Sequence, residues 1–173
     1  MVAYDTELFG HWWHEGPQFL EAVFELAPAA GIELTTLRAE RDRAADRPGI
    51  HLTAGSWGSG KDFRVWAEGE AGQLRDRGTA AQYAVLSYLS DLPANWRASR
   101  NETADAIVTE LLLAMSSDWA FMITKDSAAQ YARVRAQGHF DRLAELLRSV
   151  HHDPNVHVSD RRLPFVDARL LPV

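Results

Sequence analysis

The feature that most constrains this chain is the helical writing of its second half. From Gly78 on, TAAQYAVLSYLSDL reads as one helix, and SRNE, Ser99 to Glu102, reads as a capping box opening a second through ELLLAM. Asp126 is expected to cap a third, long helix through YARVRAQGHFDRLAELLRSV. Helices of this length pack on one another, which predicts a small bundle of about three or four. With 173 residues, 46% of them hydrophobic, the chain can bury one sizeable core, or one core and a small appendage.

The first half is patterned differently. VAY before Asp5 reads as a short strand, and a two-residue repeat would present Asp5 and Glu7 to the same side. Pro17 suits the first turn of a helix whose apolar stripe is Leu20, Val23, Phe24 and Ala27, ending before Gly31, and a strand-like IELTTL follows. Strand, helix, strand make one βα unit without enough sheet to complete it. RAERDRAADRPG reads as a short solvated helix and a turn, and IHLTA leads into the Gly-rich AGSWGSGK, with FRVW briefly extended after it. The expected fold class is therefore mainly α: a helical bundle over 78–173, an aromatic Gly-rich loop over 55–77, and a remnant βα portion over 1–54.

Charge and composition exclude several function classes. A formal net charge of −6, with arginines scattered among acids, leaves no electrostatic footprint for nucleic acid. No apolar run approaches the ~18 residues of a membrane span, and the N-terminus has no signal-peptide pattern, so the expectation is a soluble, cytoplasmic chain without a membrane partner. Zero cysteines remove disulfides, thiolate chemistry and Cys-based zinc sites. HHDPNVH, His151 to His157, lacks the i, i+4 spacing of a helical zinc site and reads as a solvated loop, so no metal is assigned. GSWGSGK imitates a phosphate-binding loop, but its next residue is Asp62 where a hydroxyl is required, and an extended FRVW would offer no helix N-terminus.

Four motifs, in order, carry a resemblance. YDTELFGHWWHEGP at Tyr4 to Pro17, GSWGSGKDFRVW, SSDWAFMITKDSAAQYARVR and the tail SDRRLPFVD together resemble glycoside hydrolase family 57, in particular its α-1,4-glucan branching enzymes. The resemblance covers nearly the whole chain. It implies that Asp5 is the general acid/base at the end of a late strand of an incomplete (β/α) barrel, that Trp57 and Trp66 line the glucan site, and that Asp118 contacts a sugar hydroxyl. It further implies a retaining enzyme with an α-glucan substrate and no cofactor, whose glutamate nucleophile sits on an earlier barrel strand. This chain would then be the C-terminal part of a longer enzyme, inactive alone and completed by an N-terminal barrel portion in cis or in trans. SGKD and AEGEAGQLRDR depart from the family pattern on the acceptor side.

The chemistry of these residues is compatible with those roles. Retaining transfer needs two carboxylates roughly 5 Å apart, one attacking and one shuttling a proton. Asp5 suits the second task if Phe9, Trp12, Trp13 and Glu7 raise its pKa; otherwise it caps or pairs locally. Tryptophan faces cover pyranose C–H surfaces while the indole N–H stays available for a hydrogen bond, which suits Trp57 and Trp66; the alternative for both is a plug closing the loop. Trp12, Trp13 and Trp96 read as packing residues and Trp119 is open. Asp118 either accepts from a sugar hydroxyl or satisfies a helix end. Branching, hydrolysis as in an α-amylase, 4-α-glucan transfer and non-catalytic glucan binding all remain consistent with this set.

Overall fold

The computed structural model describes residues 3–44, 49–160 and 162–171, without the side chains of His11 and Trp12. The Pro-Gly turn expected after residue 44 and the packing role expected of Trp12 lie largely outside that description. The chain forms two compact units, 1–52 and 53–173, each considered by itself. Among the described residues all regular structure is helical.

In the first unit a π-helical turn, Leu8–Trp12, precedes α1, Gly16–Ala29, which starts with Pro17 in its first turn, and α2, Leu37–Arg43, follows. The expected strands are absent among the described residues. Residues 3–5 and 32–36 are irregular, Thr36 caps α2 by accepting from the Ala39 amide at 3.1 Å, and Thr6 and Glu7 are helical, so Asp5 and Glu7 do not share a strand face. β-like stretches without a neighbour to pair with cannot persist as strands in water. Ile32, Leu34 and α1's Phe24 and Leu26 are exposed. Tyr4, Phe9, Trp13 and Phe19 form a chain of ring contacts, Trp13 and Phe19 at 4.8 Å.

The second unit is the expected bundle. Its helices are α3, Arg64–Ala67; α4, Gly69–Asp91; α5, Glu102–Ala114; α6, Ser117–Thr124; and α7, Ala129–His152. The core joins Val85 and Leu89 of α4, Ile107, Val108 and Leu111 of α5, Leu143, Leu146 and Val150 of α7, and Val166 and Ala168 of the tail. Residues 102–124 together are long and apolar enough to cross a membrane, beyond what the uninterrupted apolar runs suggest. The structure breaks that stretch at Ser116 (φ −55°, ψ 130°) and buries most of α5 in the bundle core.

Helix boundaries differ from the sequence-based expectation for identifiable reasons. α4 begins nine residues before Gly78, which sits inside it because a Cβ there would come within 3.3 Å of Met115 Cγ. α5 is capped by Asn101, which accepts from the Ala104 amide at 3.0 Å, rather than by Ser99. Asp126 does not cap α7: it adopts φ +53° in the turn that terminates α6, where the Ser127 amide donates to Met122 O at 3.0 Å, and Ala128 precedes the helix. FRVW is not extended, since α3 forms one helical turn there after Phe63 reverses the chain at φ +69°.

Gly72 shows how tightly α3 meets α4. A Cβ there would lie 2.5 Å from the Ala67 carbonyl oxygen, a main-chain atom with little room to retreat. Gly72→Ala gains up to ~1 kcal/mol of helix propensity but forces that clash, costing about 1–3 kcal/mol. A net loss of about 1–2 kcal/mol is expected in urea unfolding followed by circular dichroism, and a stabilised variant would contradict the close approach.

Candidate functional site

The Gly-rich loop folds into a platform for aromatic side chains. Gly58 at φ +108° lets the chain pass over the buried Val65, whose Cγ2 would stand 2.8 Å from any Cβ there. The Ser56 amide donates to Lys61 O at 3.0 Å and Ser56 Oγ accepts from the Phe63 amide at 2.8 Å, closing the loop on itself. Arg64 pairs with Asp62 and holds its carboxyl down to about 2. That pairing, and a helix of one turn only, leave the phosphate-loop reading without support even though FRVW is helical.

α6 clasps this loop. Thr124 Oγ1 donates to Val65 O at 3.0 Å and Lys125 Nζ to Ser59 Oγ at 2.6 Å, while the Phe121 ring meets Trp57 at 5.5 Å. Trp57 and Trp66 are brought together with ring centroids 6.1 Å apart and planes inclined at 44°. Trp57 stays 59% exposed, which a buried plug would not be. The Trp66 indole N–H donates to Trp57 O at 2.9 Å, so the edge that the sequence leaves available is already used and the ring offers its face.

Beside this pair a groove of about 470 Å³ runs between α3, the first turns of α4 and the α5–α6 break, within the usual range of small-molecule sites. Phe63, Trp66, Met115 and Trp119 form its apolar walls, and Ser116, Ser117 and Thr79 supply hydroxyls. Asp118, exposed on the first turn of α6, accepts from Ser116 Oγ at 2.8 Å and sits one turn before Phe121. A second groove of about 520 Å³ between α4 and α7 is lined by Leu74, Ile123 and Val134 together with polar and charged groups, without an aromatic face, and is crossed by the Arg133–Glu70 pair at 2.7 Å.

Asp5 belongs to the other unit. It is exposed just ahead of the helical turn, and its carbonyl accepts from the Leu8 amide at 3.1 Å. The aromatic rings of that unit do not bury it. No group of three or more metal-ligating side chains occurs among the described residues, and His157 of the HHDPNVH stretch faces Glu102 at 3.5 Å.

Sequence reasoning missed the buried polar centre behind Trp119. Glu110, fully buried on α5, takes His139 Nδ1–H at 2.8 Å on one oxygen, and Arg142 at 3.1 Å and Arg162 on the other. Arg135 Nη2 lies 3.3 Å from His139 Nε2; a guanidinium only donates, so Nε2 accepts and the proton sits on Nδ1, aimed at Glu110. The available signal was Glu110 and His139 interrupting otherwise apolar stripes, the latter Ala132, Ala136, His139, Leu143.

Comparison with known proteins follows the same lines. Residues 79–163 match the family described as 1,4-alpha-glucan branching enzyme, C-terminal. The chain is 42% identical over 145 residues to a probable 1,4-alpha-glucan branching enzyme of Mycobacterium tuberculosis, covering 80% of this chain and 27% of that protein. It is 36% identical over 155 residues to a 1,4-alpha-glucan branching enzyme of Thermococcus kodakarensis, covering 87% and 23%. Among solved structures it resembles a GH57-type branching enzyme from Pyrococcus horikoshii with a TM-score of 0.53 and 32% identity, over 88% of this chain and 29% of that one. The chain spans about a quarter of the length of the curated relatives it matches.

Proposed function

From a chain that belongs, through residues 79–163, to the C-terminal domain of the GH57 1,4-α-glucan branching enzymes, we propose that it forms part of an α-glucan site. The observation that carries this reading is the aromatic surface of Trp57, Trp66 and Phe121, beside a groove whose walls are apolar and whose rim carries hydroxyls. Flat faces paired with hydroxyl partners match the amphipathic surface of a pyranose. Trp57 and Trp66 stack on glucose units of an α-1,4-linked chain, and Asp118, on the exposed first turn of α6, accepts from a sugar hydroxyl.

In the assembled enzyme Asp5 protonates the leaving glucan and then takes the proton of the incoming 6-hydroxyl, so that an α-1,4 bond is exchanged for an α-1,6 bond by double displacement. The attacking carboxylate is the glutamate that the family resemblance puts on an earlier barrel strand, outside these residues. The chain alone therefore binds glucan without turning it over. The names of the relatives favour branching over hydrolysis or 4-α-transfer, and linkage analysis of products made with the barrel portion added would separate the three.

The test is a tryptophan-fluorescence titration with maltoheptaose. Saturable binding is expected, weakened roughly tenfold in Trp57→Ala, the equivalent of losing about 1.4 kcal/mol of stacking. A folded chain that shows no titration, or a variant that binds as well as the parent, would remove the aromatic surface from the glucan site.

A further inference from the structure

We propose that Trp119 is a further glucan-contacting residue, with the buried Glu110–His139 pair positioning it from behind. The inference rests on the glucan reading above. Trp119 forms a wall of the groove while His139 does not reach it. The imidazole stacks on the indole at 6.2 Å with planes 23° apart, and Tyr131 meets the ring edge-on at 6.3 Å. The indole N–H is tied to Leu113 O at 2.8 Å. Ring stacking, ring edge and N–H are thus all held by the protein, and the part of the ring that lines the groove is the surface offered to a ligand.

The hold on His139 is itself rigid. Its Nδ1–H ends on a carboxylate with no exposure, and that carboxylate's other oxygen is fixed by two arginines. A group fixed in this way is a positioning residue for the aromatic wall. The occupant it fits is an α-linked glucose unit. One face lies on Trp119, while Ser116, Ser117 and Thr79 meet its hydroxyls; Thr79 Oγ1 donates to Arg75 O at 3.0 Å and so keeps lone pairs free to accept.

The experiment uses the full chain labelled with 5-fluorotryptophan, with the Trp119 fluorine resonance assigned by Trp119→Phe and maltoheptaose as the probe. The Trp119 resonance is expected to shift on titration, and Trp119→Ala to weaken binding about tenfold. His139→Asn retains a donor for Glu110 but removes the flat ring; it is expected to displace the Trp119 resonance in the free chain and weaken binding about fivefold. Urea unfolding of this variant checks that it remains folded, and His139→Phe, which restores a flat ring, is expected to recover part of the affinity. If Trp57 and Trp66 respond to maltoheptaose while Trp119 does not, this inference fails and the glucan reading stands. If no tryptophan responds in a folded chain, both fail. An unmoved Trp119 resonance with unchanged affinity in His139→Asn overturns the positioning role.

Discussion

Glu110→Ala is expected to lower the folding stability of the helical unit by about 2–4 kcal/mol, from a buried N–H left without its acceptor and the volume emptied beside it. Glu110 has no solvent exposure and joins α5 to His139 and Arg142 of α7 and to Arg162 of the tail. Removing it leaves the His139 N–H without an acceptor in a site where His139 is 5% exposed. The two arginines are partly exposed and can turn to water, so most of the cost falls on the imidazole and the emptied volume. Calorimetry should register a fall of roughly 10–15 °C in melting temperature. Glu110→Gln keeps an acceptor for Nδ1–H and should lose clearly less. Replacing both partners by leucine should recover much of the loss, because a buried pair and a well-packed apolar pair are often close in energy. A loss below about 1 kcal/mol for Glu110→Ala would mean that the carboxylate is hydrated in solution.

Asp105→Ala should release the tail. Asp105, buried near the start of α5, accepts from Arg100 Nε at 2.5 Å and from the Ala168 amide at 2.7 Å; Arg100 in turn donates to the carbonyls of Pro164 and Val166. Thr103 adds a second fastening, donating to Val156 O and accepting from the Val158 amide. With Asp105 gone the Arg100 head swings into water and Val166 and Ala168 lose their register over the core. The expected cost is about 2–4 kcal/mol, accompanied by faster tryptic cleavage at Arg162 and Arg169. Unchanged cleavage would mean that apolar contacts alone hold the tail. Acid should loosen this region too: Arg169 holds the Asp167 carboxyl down to about 2, so that pair's contribution is full above the ordinary value of 3.8 and is lost as the pH falls towards 2.

The helical unit was legible because its helices are long and their apolar residues recur on one stripe, and because a Gly-rich loop set between periodic segments has few other readings. What escaped was whatever depended on neighbours distant in sequence. VAY, IELTTL and IHLTA have β-like composition, but a strand exists only where a second one pairs with it, and none does among the described residues. Asp126 has the right identity for a cap yet is consumed by the turn that ends α6. Trp57 and Trp66 were readable as a pair from their loop, whereas the face-only presentation of Trp66 depends on where the Trp57 carbonyl points. Glu110 and His139 were hidden for a related reason: 29 residues separate them, and only the packing of α5 on α7 turns two misplaced polar residues into one contact.

The stretch that the family model matches ends at residue 163, but the core does not. Val166 and Ala168, beyond that limit, are as deeply buried as the helix residues they cover, and on the other side Val65 and Ala71 lie buried before residue 79. A fragment trimmed to residues 79–163 would be cut through its own interior at both ends, baring apolar side chains and freeing Asp105 and Arg100 from the tail. The stretch matched by the family model and the compact unit are therefore different objects here, and 53–173 is the cut that keeps the second one whole.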